Sequence, residues 1–343
     1  MTERRRRVLA FAALLAVLLM AMLAAVALGA VPLSFAGVVR ALVASCTGLG
    51  SADGGLGETG WTILWSVRLP RVLLAALVGG GLAVVGAALQ SVFRNPLADA
   101  GLLGVGPGAA FGAVLAIHLG WSASVFLALP AAAFAGAMAA TAAVYLLAHL
   151  AGRPTLSGLL LTGIAVGAIA TAGLSIVLVA TDEYRVKAVL FWLAGGLEGR
   201  SWPHVQSAAV LIGTGVLALV TLSRVLDVLS LGETEAASLG LRVRLARLGV
   251  LGLAAVVAGA ATSAAGSVPF VGLIAPHALR PIVGPRGRHL LPATFLAGGL
   301  IVVLADLAAR TLSLRIDLPL GSLTTLIGAP YFLLALRGNR GRE

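Results

Sequence analysis

Residues 72–93 read VLLAALVGGGLAVVGAALQSVF, a run with no Asp, Glu, Lys or Arg. A helix needs roughly 20 residues to cross the hydrocarbon core of a bilayer, and this run is long enough. Outward from it the pattern recurs: residues 8–39, 100–152, 154–181, 201–223, 248–279, 289–305 and 318–336 are also free of those four residue types. The run 100–152 has room for two spans hinged near Gly120, Trp121 and Pro130. The run 248–279 has room for two more, broken around residues 266–269. The length rule then gives about ten crossings. Over its 343 residues the chain is 59% hydrophobic and 11% charged, with a mean hydropathy of +1.05. A soluble domain carries about 25% charged residues, so this chain must use lipid as its solvent. The expected fold class is an all-α integral membrane protein, with one transmembrane domain over residues 1–343.

The charges set the expected topology. Arg4, Arg5, Arg6 and Arg7 precede an apolar run much longer than the roughly 7–15 residues of a secretory signal, so a retained first helix with a cytoplasmic N-terminus is expected. Ten alternating spans return the C-terminus, with Arg337, Arg340 and Arg342, to the same side. On that topology 16 of the 24 basic residues, Arg94, Arg153, Arg224 and Arg280 among them, fall on the cytoplasmic face. The other 8 fall outside: Arg40, Arg68, Arg71, Arg185, Lys187, Arg200, Arg310 and Arg315. The bias has the sign of the positive-inside rule, and the net +11 reads as a topological signal, not a nucleic-acid footprint.

Several function classes are disfavoured. Lys187 is the one lysine and has no phosphate-cradling glycine turn before it, so a P-loop ATPase is excluded. Gly104, Gly106 and Gly108 open an apolar span, where glycines serve close helix packing, as Gly79–Gly81 and Gly86 also would. No Ser/His/Asp or paired-carboxylate arrangement suggests catalysis. Cys46 is alone, so there is no disulfide framework. The five histidines are scattered without metal-ligand spacing, and His118 and His149 are expected at membrane interfaces. Asp306 is the one acid able to extend a span, and Arg310 four residues on makes an i,i+4 pair that needs no ion-transport chemistry. An ion-coupled secondary transporter is the contrasting class. The polar stretch 229–240, LSLGETEAASLG, followed by Arg242, Arg244 and Arg247, reads as a surface gripped by another protein. Together these features point to a membrane pore driven by a separate motor.

Six segments in order resemble the permease subunits of ABC importers for iron-siderophores, haem and vitamin B12, the FecCD-type, type II importers. They are RLPR at 68–71, GAALQSVFRNPLADAGLLGV at 86–105, the 229–240 loop, GSVPFVGLIAPH at 266–277, LADLAAR at 304–310, and LPLG at 318–321 running on to TLIGAP at 325–330. The chain departs slightly at Asp317, where the family often has Glu. The resemblance implies the type II permease fold and a homodimer with its pathway on the two-fold axis. It also implies two ATPase subunits holding ATP and Mg, a periplasmic or lipoprotein binding protein, and no cofactor or metal on this chain. The expected location is the bacterial cytoplasmic membrane. The cargo is read as an iron(III)-siderophore, with haem or cobalamin as the alternative.

The resemblance also assigns residues. The loop within about 224–247 forms two short helices that dock on the ATPase: Leu229, Ser230, Leu231, Gly232, Glu233, Glu235, Ala236, Ser238, Leu239 and Gly240. Locally, Ser230 suits an N-cap with Glu233 at capping-box spacing, and Gly240 suits a helix stop. On the outer face Arg68, Arg71 and Arg310 align with arginines that receive acidic residues of the binding protein. Arg94, Asn95 and Pro96 form a turn near the cytoplasmic gate. Pro276 and His277 suggest a backbone break in the pathway wall, with His277 not read as a metal ligand. Residues 184–197, ending in Gly195 and Gly196, suggest a short amphipathic helix at the outer mouth.

Overall fold

The computed structural model describes residues 3–48, 53–121, 126–152, 155–312 and 318–339. Arg153, Arg315, Asp317, Arg340 and Arg342 lie outside the described residues. Fourteen helices and no strand occur among the described residues. They are α1 (Glu3–Ala27), α2 (Phe35–Thr47), α3 (Gly57–Phe93), α4 (Val105–His118), α5 (Ala128–Leu150), α6 (Leu156–Val179) and α7 (Glu183–Ala194). There follow α8 (Trp202–Thr221), α9 (Ser223–Leu229), α10 (Glu233–Ser238), α11 (Val243–Ala265), α12 (Val271–Val283), α13 (Gly287–Thr311) and α14 (Leu320–Asn339). Seven of these (α1, α3, α5, α6, α8, α11 and α13) are long and apolar enough to cross a membrane. Three shorter apolar helices, α2, α4 and α12, and the C-terminal α14 accompany them, so the expected count of about ten crossings is met approximately. The expected breaks are also present, after His118 and between Ala265 and Val271.

Helix α3 is the axis of the molecule. Its apolar window is 78% buried, against 17% for α1 and for α6. It packs on α8, α11, α12 and α13, while α4, α5 and α6 form a second group joined to the first through α11. Glycines permit the closest approach. A side chain at Gly79 would collide with the carbonyl of Gly298, and one at Gly298 with that of Gly79. With no Cβ at the crossing, the α3 and α13 backbones meet directly.

The charge-free reading starts α3 too late. The helix begins at Gly57 and carries Arg68 and Arg71 within it. Pro70 shapes this entry: it has no N–H and its ring crowds the carbonyl four residues back. The helix accommodates it by widening into a π turn over Ile63–Arg68. The Trp65 carbonyl in that turn accepts a hydrogen bond from Trp202 Nε1 at 2.9 Å.

Arginines end several helices. The last carbonyls of a helix have no partner within it, and the terminus carries partial negative charge. Arg6 Nε donates to the Ile282 carbonyl and its Nη2 to that of Pro281, both at 3.1 Å, closing α12. Arg185 donates to the carbonyl of His118 at the end of α4. Basic residues read from sequence as topological signals therefore also cap helices. His204 is another capping residue missed in the sequence: with Ser201 it forms the capping box of α8.

Candidate functional site

At one end of the bundle, α9 and α10 follow the sixth span as two short helices. Leu226 and Leu229 are buried and hold α9, and Asp227 Oδ1 accepts from the Gly287 N–H at 2.7 Å, tying α9 to α13. In α10 only Ala236 faces inward, whereas Leu231, Leu239 and nearby Leu245 are 55%, 65% and 60% exposed. Glu233, Glu235, Ser238 and Gly240 are exposed with them. The expected stop at Gly240 is present, with φ +79 and the Gly240 and Leu241 N–H groups bonded to the Ala237 and Ala236 carbonyls, a Schellman ending.

The expected start is not. Gly232 occupies the N-cap, with φ +128, and makes no side-chain cap. Ser230 instead closes α9, its hydroxyl donating to the Asp227 carbonyl at 2.6 Å. Glu233 is drawn away by Arg247, with which it forms an ion pair. A charge partner fourteen residues away outcompetes the local capping geometry.

The turn after α3 reaches this region. Arg94 ends α3 in the left-handed conformation, and Asn95 Oδ1 accepts from the Leu97 N–H at 2.9 Å, so Pro96 sits in an Asx-type turn. A cavity of about 390 Å³ separates α3 from α10, lined by Val92, Arg94, Leu229, Glu233, Glu235 and Arg247. The turn and the exposed pair of helices thus share one wall.

At the opposite end, the three expected docking arginines are turned inward. Arg68 is 5% exposed; its Nη1 donates to the Val26 and Ala27 carbonyls at 2.9 and 2.8 Å, and its Nη2 to that of Val31. Arg310 donates to the Ala25 carbonyl at 2.9 Å. Between them they satisfy the C-terminal carbonyls of α1. Asp306 is buried, 2.9 Å from Arg71 Nε and 3.1 Å from Arg310 Nε. The expected i,i+4 pair is there, but Arg71 makes it a triad. In this conformation the three guanidinium groups hold α1, α3 and α13 together.

The chain matches the FecCD transport family over residues 15–338. It belongs to that family. It is 42% identical over 288 residues to the cobalamin import permease of Halobacterium salinarum, covering 84% of this chain and 77% of that one. It is 40% identical to the hemin transport permease of Yersinia pestis and to the Fe(3+) dicitrate permease of Escherichia coli, covering 82% of this chain and 86% of each relative. A solved structure described as an inward-facing metal-chelate type ABC transporter superposes with a TM-score of 0.84 at 31% identity, covering 96% of this chain and 98% of that one. A FecCD permease is the non-catalytic pore subunit of an ABC importer, a multi-pass membrane protein that works with an ATPase and a substrate-binding protein.

Two further features of this FecCD permease concern the proline-containing helix α12 and the short helix α7. Pro276 does not break α12; it lies inside the helix. Its missing N–H leaves the Gly272 carbonyl without its helical partner, and Gln90 Nε2 on α3 donates to that carbonyl at 3.2 Å. The interruption falls earlier, over residues 266–270, ending at Phe270 with φ +68. His277 lies edge-on to Tyr331, their ring centroids 6.1 Å apart. Helix α7 ends at Gly195 and Gly196 as expected and is stitched to its neighbours by backbone bonds. Gly196 N–H donates to the Ala265 carbonyl at 2.8 Å, and Leu320 N–H to that of Gly195 at 2.9 Å. Among the described residues no three His, Cys, Asp or Glu side chains cluster as a metal site.

Proposed function

We propose that this FecCD permease moves an iron(III)-siderophore across the bacterial cytoplasmic membrane, as a homodimer with its pathway on the two-fold axis. Two ATPase subunits holding ATP and Mg face α9 and α10, both termini lie on that side, and a periplasmic or lipoprotein binding protein delivers cargo at the other. The observation that carries the ATP-driven part is the surface of α10. Leu231 and Leu239 flank α10 and Leu245 lies on α11 beside it; these three exposed leucines, with exposed Glu233 and Glu235 on α10 itself, suit a partner's groove better than water. Closure of the ATPase pair would push this lever, and the rigid contacts of α9 and α11 would pass the movement to the bundle.

The relatives named for hemin and cobalamin support haem or cobalamin as a second reading of the cargo. An ion-coupled carrier has less support: Asp306, the buried acid within a span, is committed to two arginines. The test is uptake of a radio-iron siderophore into liposomes holding the permease, its ATPase and its binding protein. Uptake should require ATP, and Leu231→Asp with Leu239→Asp should abolish it while the permease still folds. Uptake by the permease alone down a proton or sodium gradient would overturn the ATP-driven reading.

A further inference from the structure

A cavity of about 330 Å³ lies at the outer end, between α7, the connection to α8 and the start of α14. Two buried hydrogen-bond donors in its lining have no acceptor among the described residues: the indole Nε1–H of Trp192 and the Nε–H of Arg200. Arg200 also makes no ion pair among the described residues. Two acids share the lining, and neither answers it. Asp306 is held by Arg71 and Arg310, and Glu198 is exposed and forms no ion pair with Arg200. Arg200 as a whole is partly exposed, but its buried Nε–H lacks an acceptor, and the buried indole N–H of Trp192 is a second unmet donor beside it; each is a cost to the fold that an incoming acceptor would relieve. The remaining walls are largely aromatic and aliphatic, Phe191 and Leu129 among them. Trp192 lines a second cavity as well, of about 360 Å³, bounded by the 266–270 interruption and the start of α4. One indole therefore stands between the outer chamber and a deeper one.

We propose that Arg200 and Trp192 form an anion-accepting cargo site, which takes a carboxylate or comparable anionic oxygen of the metal chelate as it enters the permease. The inference rests on the importer reading above and sharpens its cargo class to chelates bearing exposed negative oxygens. A guanidinium and an indole N–H supply the missing donors for such a group, and the apolar walls accept the body of the chelate. The same chemistry could come from an acidic side chain of the binding protein, and the experiment separates the two.

The complete transporter, reconstituted with its ATPase and binding protein, is given ferric dicitrate, haemin or the neutral chelate ferrichrome. Arg200→Gln should lower uptake of the anionic chelates roughly tenfold, the scale of one charge-assisted hydrogen bond, with partial recovery in Arg200→Lys. Trp192→Phe, which keeps the ring and removes the N–H, should act in the same direction. Ferrichrome uptake and binding-protein affinity should stay unchanged, which also reports that the variants fold. Undiminished uptake of anionic chelates by Arg200→Gln overturns the site. So does wild-type transport restricted to ferrichrome. Weakened docking with equal loss for every chelate assigns Arg200 to the binding protein instead. A wild type that imports no chelate with ATP removes the importer reading itself, and this site with it.

Discussion

Asp306 shows how much one side chain can hold. Its carboxylate lies between Arg71 and Arg310, and those arginines in turn join α3 and the end of α1 to α13. Asp306→Asn leaves two buried cations facing each other, at a cost of about 3–5 kcal/mol on the scale of broken buried ion pairs. The midpoint of thermal unfolding in detergent should fall clearly. Arg71→Glu puts a second carboxylate against Asp306 and should lower that midpoint as well. Were Arg71 only a docking residue, the reversal would change binding-protein affinity and leave unfolding untouched. The Asp306–Arg310 half of this arrangement was legible from i,i+4 spacing. The Arg71 half was not, because it joins residues 235 positions apart, and no local pattern encodes that. The burial of Arg68 is hidden for a related reason: a charge in sequence marks the edge of a span by default, yet a guanidinium bonded to helix-end carbonyls has no need of water.

Among the elements, α10 and α12 make separate demands on their neighbours. Gly240 ends α10 in the left-handed region, where an added Cβ costs about 1–2 kcal/mol. Gly240→Ala should therefore loosen the end of α10 and reduce ATP-coupled uptake, with little change in overall unfolding. Glu233→Gln, which weakens the pairing with Arg247, should act in the same sense. For α12 the critical group is Gln90. Gln90→Leu strands the Gly272 carbonyl freed by Pro276, a loss of about 1–3 kcal/mol, and should speed amide exchange in α12 before α3 is affected. The glycine stop at Gly240 was readable, since turn chemistry is local, whereas the pair of short helices around it was implied only by the family resemblance. The N-cap was misread because Ser230 and Glu233 fit a capping box equally well until Arg247 arrives from the next helix.

At the scale of the whole molecule, length and composition alone are enough for the all-helical membrane class, because lipid admits few alternatives to helix, and they give the number of spans only approximately. The placement of α4 and α12 needed the structure: each is only about 20 Å long, short of a full crossing, so irregular backbone completes the path. The seam of α3 and α13 sets how closely the first group of helices packs around α3. Gly79→Val drives a branched side chain into the Gly298 carbonyl, an overpacking cost of about 1–3 kcal/mol. The variant should reach the membrane in lower amount and unfold at lower temperature, and Gly298→Val should reproduce the effect.

The π turn of α3 also leaves an optical consequence. Trp61 and Trp65 stack with centroids 5.3 Å apart, and Trp202 lies at the same separation from Trp65 on the far side of a hydrogen bond. Three indoles so close couple their electronic transitions, so the near-ultraviolet circular dichroism should carry an excitonic signature set by the register of α3 against α8. Trp202→Phe should erase part of it. Any movement that slides those helices during turnover would then register as a change of ellipticity, a native spectroscopic gauge needing no attached dye.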